Sequence, residues 1–157
     1  MRQELKISFD TPEHGWLAIY LDSGDHHLKL PFSYTSFDFL SELVRALLNL
    51  ADGFDAKANC SYNPDQYEFL FRAADHTSQF KVVSYPDHKR AESAGEVIFS
   101  FEGIATDICL AFWRALRELQ GRVSAAKYKE GFHRDFPEKE MRLLTEKMTA
   151  IKQQVRE

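Results

Sequence analysis

Six histidines, two cysteines and a scatter of aspartates are the side chains of this 157-residue sequence with most chemistry to offer. His26 and His27 stand beside Asp22 and Asp25, so two imidazoles and two carboxylates fall within six residues around a turn. A metal wants such donors in a closed, rigid geometry, which a hairpin tip does not supply. A solvated polar turn is therefore expected there. His14, His76 and His88 fall in loop-like stretches and His133 between helical ones, and no spacing gives any of them a carboxylate partner for proton transfer. Cys60 and Cys109 each sit inside an apolar pattern, which suits buried thiols better than a disulfide. The sequence has no C-x-x-C, H-E-x-x-H or G-x-G-x-x-G pattern and no P-loop. Neither a catalytic set, a metal site nor a cofactor is expected.

Charge points elsewhere. The net charge is −4, but residues 1–121 carry 11 Lys and Arg against 18 Asp and Glu, whereas residues 122–157 carry 9 against 6. An acidic body of this kind disfavours binding to nucleic acid. Asp22, Asp25, Asp52, Asp55, Asp65, Asp75 and Asp87 collect at chain connections, where Asp is favoured by local hydrogen bonding. The functional alternative is an acidic surface that steers a basic protein partner. No run of 18 apolar residues occurs and the first residues lack an apolar signal stretch, so a cytoplasmic chain without membrane contact is expected.

Positioning any of these groups falls to a core rich in aromatics, with 13 Phe in a chain that is 44% hydrophobic. One domain over 1–157 is expected, with a helical extension over 122–157. The clearest element is a helix over 35–52, with Thr35 as N-cap, Asp38 at capping-box spacing, Tyr34 and Phe39 as a staple, and Gly53 as its stop. Before it, Leu5, Ile7 and Phe9 alternate as a strand, and a hairpin about Ser23-Gly24 sets Ile19 opposite Leu28 and Leu17 opposite Leu30. After it, a hairpin about Asn63–Gln66 sets Cys60 opposite Phe69 and Ala58 opposite Phe71. Strands 79–85 and 96–101 follow, the latter with Val97, Phe99 and Phe101 on one side, joined by a polar, mobile 86–95. Helices over 104–120, 123–130 and 137–155 close the chain, with Gly121 as a stop, Pro137 as first residue, and a seam of Met141, Leu144, Met148, Ile151 and Val155. The expected fold is α+β: one mostly antiparallel sheet of about seven strands, in the order β-β-β-α-β-β-β-β-α-α, packed with helices 35–52, 104–120 and 137–155.

On the sheet face opposite Leu17, Ile19 and Leu21 stand Trp16 and Tyr20, and Leu70, Val83, Tyr85 and Ile98 share that side by alternation. The C-terminal helices, whose apolar stripes need a home, are expected to cover it. If open, it would be a contact patch anchored by Trp16, Tyr20 and Tyr85, with Asp22 and Asp25 as the charged part.

The Trp16–Leu21 strand, the segment Leu28–Tyr34 with its Ser33-Tyr34 pair, the Leu-rich helix and the Tyr67–Phe71 strand resemble a family of small uncharacterised bacterial α+β proteins over roughly residues 14–120. Such proteins are similar in style to immunity proteins of bacterial toxin systems. The resemblance implies a non-enzymatic protein-binding module that neutralises a toxin through an acidic and aromatic surface. Two other readings compete with it. One is a small-molecule binder or enzyme with a pocket between sheet and helices. The other is a homodimer that pairs through residues 137–155.

Overall fold

The computed structural model describes residues 3–156, the side chains of 155 and 156 excepted. Strands β1 (Lys6–Phe9), β2 (Trp16–Asp22) and β3 (His27–Ser33) form one antiparallel sheet. Helix α1 (Phe39–Ala51) leads into a second antiparallel sheet of β4 (Ala56–Tyr62), β5 (Asp65–Arg72), β6 (Ser78–Tyr85) and β7 (Glu96–Gly103). Helices α2 (Ala105–Arg122), α3 (Ala125–Phe132) and α4 (Glu138–Arg156) follow. The α+β class holds, but the expected single seven-stranded sheet is replaced by sheets of three and four strands.

The break falls between β3 and β4, which touch without forming a ladder. Both edges are blocked. Ala18 turns its N–H and C=O toward Asp10, so its register partner Pro31 turns its own backbone to the free edge of β3, where it has no N–H to give. On β4 the Asn59 N–H donates instead to Glu42 Oε1 of α1, at 3.0 Å.

Both hairpins form, each shifted by two residues from the expected pairing. Ile19 faces Leu30 rather than Leu28, around the four-residue turn 23–26, and Cys60 faces Tyr67 rather than Phe69, around Asn63-Pro64. A two-residue shift preserves side-chain parity, so every face assignment in the hairpins survives. On β7 the alternation fails locally. Phe99 pairs with Val82 and Val97 with Val83, leaving Ile98 as the extra residue of a bulge. Val97 is thereby turned outward and 53% exposed, while Phe99 and Phe101 stay in the core.

Helix α1 begins four residues later than expected. The Thr35 hydroxyl bonds Ser33 Oγ at 2.6 Å instead of capping, and Phe37 N–H donates to the Thr35 carbonyl across Ser36 at φ +71°, a γ-turn. Asp38 stands at the N-cap with its carboxylate on the Ser41 hydroxyl, and Tyr34 packs on His133 rather than stapling to Phe39. Gly53 ends the helix at φ +89°, as expected. Gly121 does not stop α2, which runs through it, and Gly131 lies inside α3, where its carbonyl accepts from Gly15 N–H at 2.7 Å.

The core is continuous. Ring contacts run from Phe32 through Phe39, Phe69 and Phe80 to Phe112, linking both sheets to α1 and α2 at centroid separations of 4.7–5.6 Å. Tyr128, Phe132, Phe136, Met141, Leu144 and Met148 join that same core, so residues 122–154 are built into the body of the fold. Helix α4 lies against α1 and α2, and its seam residues Met141, Leu144 and Met148 are fully buried there. Pairing two copies through that seam would require unpacking the core. The Val155 side chain lies outside the described residues.

Candidate functional site

The outward residues of β2 are set by strand period alone: Trp16, Ala18 and Tyr20 point away from buried Leu17, Ile19 and Leu21. Helix α3 touches β2 and Ala18 is buried, but the rings of Trp16 and Tyr20 are not covered. Helix α2 packs on β1 and α4 on α1 and α2, because their stripes complete the core begun by α1. Trp16 remains 43% exposed and Tyr20 37%. Trp16 packs on Tyr62 of β4 with centroids 5.2 Å apart and planes at 59°, and Lys29 Nζ lies 5.6 Å from the Tyr20 ring centre. Tyr62, itself 41% exposed, belongs by alternation with core residues Ala58 and Cys60. It escapes burial because it ends the strand, beyond the rim of the core.

Asp22 and Asp25 lie at the tip of the same hairpin, where they do turn chemistry. Asp22 Oδ1 accepts from Gly24 N–H at 2.7 Å and stands 3.3 Å from His27 Nδ1, and Lys6 is its partner across β1. The Asp25 carboxylate accepts from the Gln3 side-chain amide. Tyr85 is the exception. It lies in the second sheet, 9% exposed, beside Gly95 of the segment between β6 and β7. Its hydroxyl bonds Glu68, and that bond, then burial, then the Glu68 charge, push its phenol up to about 12. The structure thus brings Trp16, Tyr20, Asp22 and Asp25 onto one hairpin and removes Tyr85 from the patch.

The segment over Tyr85, residues 86–95, is the part of the molecule least expected from sequence. It holds a short 3₁₀ turn, Glu92–Ala94, and it inserts one side chain, Arg90. Arg90 Nη1 donates to Asn59 Oδ1 at 2.7 Å and to the Tyr67 carbonyl at 3.3 Å. Nη2 donates to Gln66 Oε1 at 3.2 Å and to the Cys60 carbonyl at 3.4 Å. Glu68 Oε2 lies 3.8 Å from Nη1, and the guanidinium carbon sits 4.8 Å from the centre of the Phe37 ring. Sequence reasoning passed over all of these. An arginine in a polar loop has no periodicity, Asn59 and Glu68 read as solvated outer positions of half-buried strands, and Gln66 reads as a turn residue.

Both thiols are inert in this setting. Burial pushes Cys60 well above the ordinary thiol range, and pushes Cys109 up to about 12 while its Sγ–H points at the Leu47 carbonyl. No group of three or more His, Cys, Asp or Glu side chains among the described residues is arranged to hold a metal. A cleft of about 390 Å³ lies between the start of β1, the end of β7 and α2, lined among others by Leu5, Phe101, Glu102, Asp107, Leu110 and Arg114. No described helix is long and apolar enough to cross a membrane. Compared with known proteins, the chain matches no family model, no curated protein and no solved structure.

Proposed function

We propose that this chain is a non-enzymatic protein-binding module whose contact surface is the outer face of the β2–β3 hairpin. The exposure of Trp16 and Tyr20 on the outward side of β2 carries this reading. Large rings held on a rigid strand lose little entropy on binding and are favoured anchors of interfaces. Acidic groups stand at both ends of the aromatic strip. Glu13 and Asp65 flank Trp16 and Tyr62, and Asp22 and Asp25 form the tip. Lys6 and Lys29 lie between them. The matching partner is a protein with basic groups at the two ends of an apolar contact. A toxin neutralised by an immunity-type protein is the partner that the sequence resemblance supports.

The test compares proteins captured by immobilised wild type and by Trp16→Ala. A single basic protein should be enriched on the wild type, and Trp16→Ala should weaken its binding by about 2 kcal/mol or more, as hot-spot truncation does. The thermal midpoint should barely move, since the ring is largely outside the core. Capture that is indifferent to Trp16 and Tyr20 would refute the reading.

A further inference from the structure

We infer that the seat occupied by Arg90 is a receptor for an arginine side chain presented by a partner protein, with Arg90 as its resident stand-in. This site is independent of the aromatic face.

The first observation is the chemistry of the seat. Every polar atom turned to the guanidinium is an acceptor: Asn59 Oδ1, Gln66 Oε1, the carbonyls of Cys60 and Tyr67, and the Glu68 carboxylate. The Phe37 ring closes the flat side. A planar fork of N–H donors over an aromatic face is what such a seat selects, and a compact ammonium cannot reach acceptors spread this way.

The second observation is that the acceptors are held in place by groups other than Arg90. Asn59 donates its Nδ2 to Glu42 Oε1 at 2.8 Å, which turns its Oδ1 into the seat. Gln66 donates its Nε2 to Ser61 Oγ at 3.2 Å and Asn63 Oδ1 at 3.3 Å, which does the same for its Oε1. Glu68 is held by Lys57 Nζ at 3.4 Å and by the Tyr85 hydroxyl. The two carbonyls belong to the β4–β5 ladder. The seat is preorganised whether or not Arg90 fills it.

The third observation is the segment that delivers Arg90. Residues 88, 89 and 91–95 are exposed, and the segment's other hydrogen bonds close within it: Lys89 N–H and Arg90 N–H on Asp87, Ala94 N–H on Ala91, Gly95 N–H on Glu92. Arg90 itself takes the left-handed backbone at φ +50°, a conformation a non-glycine residue holds only at a cost. Withdrawing its side chain requires no apolar core to open. Because the tether keeps Arg90 at an effective concentration in the millimolar range, an incoming arginine displaces it only with help from contacts around the seat.

Calorimetric titration of wild type and Arg90→Ala with the peptides acetyl-Gly-Arg-Gly-amide and acetyl-Gly-Lys-Gly-amide tests this. The arginine peptide should bind Arg90→Ala at least about tenfold more tightly than wild type, because the tethered competitor is gone. The lysine peptide should bind the variant at least about tenfold more weakly than the arginine peptide. Side-chain amide resonances of Asn59 and Gln66 should shift as the variant saturates. Equal affinity of wild type and variant, equal affinity for the two peptides, or no binding at all would overturn the inference. If Arg90→Ala does not fold, Arg90→Gln replaces it under the same criteria. Failure of both to fold also overturns it, since Arg90 would then be a staple of the fold.

Discussion

Tyr85 and Trp16 occupy equivalent outward positions in their strands, yet one is under a loop and the other in solvent. Strand period places both on a face; what lies over that face is settled by segments distant in sequence. The consequence for Tyr85 is chemical. A phenol raised to about 12 by its bond to Glu68 stabilises the fold in its neutral form. That contribution is complete below the unfolded phenol value of about 10 and is lost as pH rises through the folded value. Tyr85→Phe should therefore cost about 1 kcal/mol at neutral pH. The gap from wild type should shrink steadily between about pH 10 and 12, read by urea unfolding of both proteins side by side. A gap independent of pH would show that the hydroxyl bond does not form. Arg90 makes the complementary point. Its identity was visible in the sequence, but nothing local says that a guanidinium in a polar loop will find five acceptors on strands more than twenty residues away.

Among the elements, the two glycines of the C-terminal helices, Gly121 and Gly131, show that glycine interrupts a helix only where the backbone needs a conformation barred to other residues. Neither position needs one. Gly121 is helical with open space where a Cβ would stand, so Gly121→Ala should stabilise by about 0.5–1 kcal/mol. Gly131 is different, because a Cβ there would run into the Pro12 carbonyl. Gly131→Ala should destabilise by roughly 1–3 kcal/mol through overpacking and strain on the Gly15–Gly131 bond. Urea midpoints that move the same way for both would sink this account. The hairpins teach a related lesson. Turn chemistry was legible at Ser23-Gly24 and Asn63-Pro64, but loop length was not, and the shift of two residues left the faces intact because side chains alternate with period two. The bulge at Ile98 is an odd-numbered shift, which is why it alone overturned a face assignment.

At the scale of the molecule, one aromatic-centred core joins both sheets and all four helices. Leu144 lies at its far side, fully buried between α4 and the rest. Leu144→Ala should cost about 2–5 kcal/mol, as cavity-forming changes in cores do, while light scattering should give the same mass for variant and wild type. A loss of mass without loss of stability would instead place the seam at an interface between copies.

What could be read from residue order is whatever depends on short-range geometry: the α+β class, the existence and type of most elements, the core stripes of α1, α2 and α4, and the inward or outward sense of Leu17, Ile19, Trp16 and Tyr20. Those follow from helix and strand periods acting on hydrophobic burial. The split into two sheets was not legible, because it turns on Pro31 facing the outer edge and on Glu42 reaching the Asn59 N–H from α1. Nor was the choice of which sheet face the late helices would cover, or the capture of Arg90 by β4 and β5. These depend on competition between surfaces that meet after the chain has turned back on itself, and composition cannot rank such competitors. The open aromatic hairpin and the arginine seat are the outcome of that competition.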